Sequence, residues 1–171
     1  MANRGHEVLR GGRNELENLQ ALCAKCNTTK GNRDDTDFRS NTSTDRQQGC
    51  PFCEESLAER IVEENGTVLA LEDGYPVTPG HKLIIPRRHT PSWFTMTELE
   101  RQHADELIRV LRKRLMSADA SITGFNIGAN AGAAAGQTVM HSHIHLIPRR
   151  DADTPNPRGG VRGVIPFKMS Y

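Results

Sequence analysis

Neither sign of charge dominates this chain of 171 residues: 22 Lys and Arg stand against 21 Asp and Glu, a formal net charge of +1 with histidines neutral. Its overall field therefore does not point to nucleic acid or a membrane surface as a partner. Long apolar runs are missing as well. None approaches the roughly 20 residues of a membrane span, and the first residues lack the apolar stretch of a secretory signal. These absences predict a cytoplasmic protein. Cysteine is sparse, four residues in two C-x-x-C pairs, Cys23 with Cys26 and Cys50 with Cys53. In a chain without a secretory signal, such pairs point to metal before disulfide. Apolar side chains are missing altogether from Arg39 to Gly49, which reads as a linker. The chain thus divides into residues 1–40, rich in Asn, Arg, Asp and Gly, a linker over 41–49, and a folded unit over 50–171. A hydrophobic share of 36% and a charged share of 25% suit a soluble globular protein.

The most informative stretch is His141-Ser142-His143-Ile144-His145, inside the β-prone run Thr138–Ile147. Side chains of a strand alternate faces, so the run predicts three imidazoles on one face, each about 6.5–7 Å from the next. Such a row can bind a metal, attack phosphorus or hold an anion. A loop of small residues, Ala131–Gly136, precedes it. Upstream, Thr67–Glu72 reads as a strand, Asp73–Gly80 as a turn-rich loop, and Lys82–Ile85 as a short strand stopped by Pro86. Leu99, His103, Leu107, Leu111 and Leu115 recur every four residues, with Ile108 beside them, which predicts a helix over Thr97–Ser117. Thr95 and Thr97 each have a Glu three residues later, as a capping box requires. His103 belongs to that helix's packed or flanking surface. Gly124–Asn130 reads as a further strand. The tail from Arg149 has three Pro and three Gly and little regular structure. Its Arg149, Arg150, Arg158, Arg162 and Lys168 against Asp151 and Asp153 leave a net +3, either a polyphosphate entrance or solvated surface charge. The fold class is α+β, a mostly antiparallel sheet with one long helix.

His141-Ser142-His143-Ile144-His145-Leu146-Ile147 resembles the His-x-His-x-His signature of the histidine triad (HIT) superfamily; Ser142 stands where x is usually apolar. Cys50-Pro51-Phe52-Cys53, Asp73 with Pro76–His81, Ile84–His89, Asn130–Gly132 and Gly136–Thr138 agree in order and spacing with its Hint-type branch, in the zinc-binding bacterial form. The resemblance covers about Cys50–Pro148. It implies nucleotidyl transfer to water at a nucleoside α-phosphate, on a purine nucleotide such as a dinucleoside polyphosphate or nucleoside phosphoramidate. His143 would be the nucleophile of a covalent intermediate, and His145 and His81 would stand near the phosphate. Gln137 and Thr138 match positions contacting phosphate and the leaving-group side, Asn130 a phosphate-side Asn, and Asp73 the acid that accepts from ribose hydroxyls. Cys50, Cys53, His89 and His141 match the ligands of a closed structural Zn2+ site. A homodimer is implied as well. From spacing alone, Cys23, Cys26, Cys50 and Cys53 form a rival all-cysteine zinc set, although the pairs lie on either side of the linker.

The stretch from Gly11-Gly12 through Asn18–Gly31 is similar to the second half of an HNH endonuclease motif. The Asp-His that would activate water is absent; His6 lacks the acid and the spacing. Residues 6–33 therefore read as a truncated, catalytically dead remnant. Two further readings have their own tests. A nucleotide-binding or interaction protein with incidental catalysis would bind nucleotides without needing His143. A nucleic-acid-acting protein would bind DNA through the HNH-like segment, which 8 basic against 7 acidic residues over 1–49 does not favour.

Overall fold

Apolar runs and one capped amphipathic segment build the larger unit of this chain. In the computed structural model, which describes residues 2–4, 19–21, 46–165 and 167–169, the chain splits into Met1–Asp45 and Arg46–Tyr171. The first contains strands β1 (Ala2–Arg4) and β2 (Leu19–Ala21), paired antiparallel with Ala2 opposite Ala21. His6, Cys23 and Cys26, and most of the HNH-like segment, lie outside the described residues, as do residues 41–45 of the expected linker.

The second unit carries β3 (Ile61–Asn65), β4 (Val68–Glu72), β5 (Lys82–Pro86), helix α1 (Glu98–Ala118), β6 (Ile122–Gly128) and β7 (Ile144–Arg150). The strands form one sheet in the order β3-β4-β5-β7-β6, every pair antiparallel. The protein is therefore α+β, an antiparallel sheet with one long helix. Strands β4 and β5 are continuous apolar runs because both of their faces are covered. On one face Val68, Ala70, Ile84, Ile144 and Leu146 pack with Ala104, Leu107 and Leu111 of α1. On the other, Leu69, Leu71, Leu83 and Ile85 pack with Cys50, Phe52, Cys53 and Leu57. Among the described residues, no helix is long and apolar enough to cross a membrane.

Of the two capping signals, Thr97 starts α1. Its hydroxyl accepts from Glu100 N–H, and the Glu100 carboxylate accepts from Thr97 N–H. Thr95 instead closes a short 3-10 turn, Trp93–Thr95, with Ser92. Several strand boundaries differ from expectation. Strand β5 includes Pro86, opposite Val68, since a strand's last residue need not donate to its neighbour. β6 starts and ends two residues earlier than read. β7 begins at Ile144, not Thr138, and runs on to Arg150.

The sequence reading gave no strand at β3, yet its turn into β4 is tightly specified. The turn residue Gly66 has φ +54°. A Cβ there would lie 2.6 Å from His103 Nδ1. That nitrogen accepts the Thr67 N–H at 3.1 Å, and Asn65 donates to the His103 carbonyl at 3.0 Å. His103 thus clamps the hairpin to the helix. Gly66→Ala should lower stability by about 1–3 kcal/mol, read as a lower urea midpoint at unchanged slope; an unshifted midpoint would contradict the clamp.

Candidate functional site

The loop ahead of β7 is shaped by Gln137, which is buried. Its Oε1 accepts from Gly132 N–H at 2.8 Å, and its Nε2 donates to Pro91 O at 2.7 Å and Val139 O at 2.9 Å. The carboxamide is fully engaged in tying residues 132–139 to the segment after β5. Ser142 N–H donates to Thr90 O at 2.6 Å. These bonds hold residues 138–143 out of the sheet, which corrects the expectation of three histidines on one strand face. His143 and His145 remain neighbours, with ring centroids 5.2 Å apart. His141 is turned away and completely buried.

Its imidazole joins Cys50, Cys53 and His89, whose potential ligand atoms all lie within 4.8 Å of one another. A tight turn, with Cys53 N–H donating to Cys50 O at 2.9 Å, presents both thiols. Cys50 Sγ is 3.5 Å from His141 Nδ1. Cys53 Sγ is 3.6 Å from His141 Nδ1 and 3.6 Å from His89 Nδ1. A tetrahedron with bonds of about 2.3 Å to sulfur and 2.05 Å to nitrogen has a sulfur–nitrogen edge of about 3.6 Å. The cluster therefore has the dimensions of a four-coordinate metal cage. His141 Nε2–H donates to Pro86 O at 2.9 Å, which leaves the Nδ1 lone pair facing the sulfurs, the usual way a backbone carbonyl orients a metal-binding imidazole. Burial pushes the His141 pKa down to about 4, so the ring is neutral, as a ligand must be. Burial raises the Cys50 thiol above its ordinary value; a bound cation reverses that preference.

Beside this cage stands His143. Its Nδ1–H donates to the His141 carbonyl at 2.8 Å, so Nε2 carries the free lone pair. Phe52 meets the ring edge-on at 5.6 Å and meets His141 at 5.7 Å. Phe52 carries no sequence signal of such a role beyond its place between two metal-set cysteines. His145 is paired with His81, Nδ1 to Nε2 at 2.9 Å, and His81 Nδ1 lies 3.3 Å from Asp73 Oδ2. The other Asp73 oxygen accepts from Tyr75 N–H at 2.8 Å. Burial lowers the pKa of His81 and of His145, against the opposing pull of Asp73.

A cavity of about 390 Å³ opens against the His81–His145 pair. Half-buried Asn130 lines it, as do Asn126, Val77, Ile127 and Val161. Asn126 was signalled only by a polar residue in an apolar strand, Val161 by nothing. Thr138 is exposed in the loop. Arg149 is held by Asp153 and Arg150 by Asp119, so these two tail cations are committed to neighbouring carboxylates.

Three depressed histidines give the metal-free chain a definite acid response. Between about pH 4 and 6.5 the unfolded chain carries a proton that folded His141 refuses, and His81 and His145 act in the same direction. Stability should therefore rise with pH across that window and level off above it. Asp119, held near 2 first by the Ser121 hydroxyl, and Asp153, held near 2 first by Arg149, titrate below the window. Denaturation midpoints taken from pH 4 to 8 check this; a flat profile from 4 to 6.5 contradicts it.

Comparison with known proteins picks out the same region. A family model described as HIT domain matches residues 54–152, well over half of the chain. One described as HNH endonuclease matches residues 6–33. Adenylylsulfatase HINT3 of Arabidopsis thaliana is 34% identical over 161 residues, covering 81% of this chain and 78% of that protein. A bis(5'-nucleosyl)-tetraphosphatase (asymmetrical) of Schizosaccharomyces pombe is 41% identical over 81 residues, 46% of this chain and 42% of that protein. Both names denote hydrolases of nucleotides. Among solved structures, a zinc-bound histidine triad family protein from Mycobacterium smegmatis matches with a TM-score of 0.52 and 30% identity, over 56% of this chain and 69% of that one.

Proposed function

The chain belongs to the HIT domain family, and from that premise we propose that it cleaves nucleotides at the α-phosphate through a nucleotidyl-histidine intermediate. One observation carries the reading: the bond from His143 Nδ1–H to the His141 carbonyl leaves Nε2 bare, on a ring beside His145, which with His81 lines a cavity. Nε2 attacks the α-phosphorus; a phosphorus–nitrogen bond forms as the bond to the leaving group breaks. Water then attacks the same phosphorus, the nitrogen departs, and a mononucleotide leaves. Dividing one displacement into two lowers each barrier. His145, backed by His81, offsets charge developing on the phosphate oxygens.

The substrate is a purine nucleotide whose α-phosphate carries a second phosphate, a sulfate or an amine. The names of the two relatives support the first two leaving groups. Asn130 reaches the phosphate from the cavity wall, and Thr138 reaches the leaving-group side. Gln137 acts through the loop it holds. Asp73 keeps lone pairs beyond its two internal partners for a ribose hydroxyl, since a carboxylate has about four acceptor sites. Cys50, Cys53, His89 and His141 would hold a structural zinc ion; with four protein ligands it has no open position for substrate. The chemistry it supplies is mechanical, restraint of the segment that carries His143. The HNH-like segment takes no part in this reaction, and the working form is a cytoplasmic homodimer.

Incubation with adenosine phosphoramidate, adenylyl sulfate and diadenosine tetraphosphate, quenched and followed by intact mass, tests the proposal. A nucleotidyl adduct on His143 is expected with at least one of them. An adduct on another residue, or no cleavage of any of the three, would overturn it.

A further inference from the structure

The cavity beside His81 and His145 holds an oriented polar group that the reaction leaves unused. Asn126 lies on β6 opposite Ile147, and both residues line the cavity. Arg149 Nη1–H donates to Asn126 Oδ1 at 2.6 Å. An arginine can only donate, so the carboxamide oxygen faces Arg149 and the NH2 faces away from it. Arg149 is gripped in turn by Asp153, Nε to Oδ2 at 2.8 Å and Nη2 to Oδ1 at 2.6 Å. The NH2 lies against the tail, where a Cβ on Gly160 would come within 3.3 Å of Asn126 Nδ2. Gly160 opens the short 3-10 turn Gly160–Val164, which adds Val161 and Val164 to the cavity wall. Among the described residues, the Asn126 NH2 has no partner.

The rest of the lining decides what such a donor can meet. Val77, Ile127, Ile147, Val161 and Val164 make it mainly aliphatic, and no Asp, Glu, Lys or Arg lines it. The nearby cations Arg149 and Arg150 are committed to Asp153 and Asp119. An anion entering from water would lose hydration without gaining a counter-charge, whereas an uncharged organic group would bury apolar surface. The volume of about 390 Å³ suits a small-molecule site. His145 and Asn130, assigned to the phosphate, line this space, and Asp73, assigned to the ribose, does not. The cavity therefore extends from the phosphate away from the sugar.

We infer that the cavity seats the leaving group and that Asn126 is a specificity-determining residue: its NH2 donates to a neutral acceptor, a carbonyl oxygen or an aromatic nitrogen, on a largely apolar amine bonded to the α-phosphorus. The inference rests on the reaction proposed above and narrows its three leaving groups. Sulfate and phosphate are anions; only an amine brings an uncharged organic body to this lining.

Adenosine 5′-phosphoramidates carrying N-benzyl or N-(2-, 3- or 4-pyridylmethyl) groups differ in a single ring nitrogen and test both parts. In the wild type, kcat/KM should rise from the unsubstituted phosphoramidate to the benzyl compound. It should rise about 5-fold further for at least one pyridyl isomer, the usual net worth of one neutral hydrogen bond. Asn126→Asp keeps an oxygen for Arg149 but turns another toward the ligand, so the pyridyl preference should disappear. Val161→Ala, at an exposed position, should cut the benzyl gain about 3-fold through lost apolar contact and keep the pyridyl preference. No gain from unsubstituted to benzyl, no preferred pyridyl isomer in the wild type, or a pyridyl preference that survives Asn126→Asp would each overturn the inference. If none of these nucleotides is cleaved, the reaction itself fails, while their order of affinity in equilibrium titrations of wild type and Asn126→Asp still decides what the cavity holds.

Discussion

His143→Ala abolishes turnover of every nucleotide substrate and leaves nucleotide binding in place. Removing a covalent nucleophile forces water to attack the phosphoester directly, and such losses run to about 10⁴-fold or more. The fold should tolerate the change. His143 makes a bond of 2.8 Å to the His141 carbonyl, and an orphaned buried acceptor costs about 1–3 kcal/mol. Phe52, His145 and the cavity wall remain. Steady-state rates on the cleaved substrates, with titration of a nucleoside monophosphate, separate chemistry from binding. Unchanged turnover would remove His143 as the nucleophile; lost binding at intact fold would make its role one of recognition.

The second large effect belongs to the cysteine–histidine cage. Wild-type protein purified without chelator should carry about one zinc per chain. Cys53→Ser should lose most of it, because Cys53 Sγ faces both His89 and His141 at 3.6 Å and a serine hydroxyl is a poor replacement for thiolate. Loss of a ligand that binds only the folded state costs about 4 kcal/mol where free zinc exceeds its dissociation constant a thousandfold. The variant should therefore unfold at lower denaturant and turn over more slowly, although Cys53 contacts no substrate. Elemental analysis with unfolding curves checks this. Wild-type protein free of metal would remove the assignment.

How far the sequence could be read follows from where each signal is stored. Helix α1 was legible because its start and its packed face are local: a Thr97–Glu100 box and leucines every four residues. Strands β4 and β5 were legible because burial on both faces demands unbroken apolar runs. Strand β3 was not, since it lies at the sheet edge with only Ile61 and Val62 apolar, and ion pairs of Glu63 with Arg114 and Glu64 with Arg87 help to hold it. The departure of His141 from the expected row was hidden for another reason. The residues from Thr138 to His143 favour a strand by themselves, and distant backbone at Pro91 and Thr90 bends them away from it. Residue types sufficed to single out His143, His145 and the cysteine pair. The grouping of Asp73, His81 and His145 needed coordinates, because its members come from three separate segments.

Only two residues separate Cys50 from Cys53, and one of them, Phe52, forms a wall of the His143 environment. Metal cage and nucleophile consequently share a single turn, so neither can be redesigned alone: lengthening the turn would misplace the thiols and the aromatic wall together. Arg46, which donates to Cys53 O at 3.3 Å, fastens the incoming chain to the same turn.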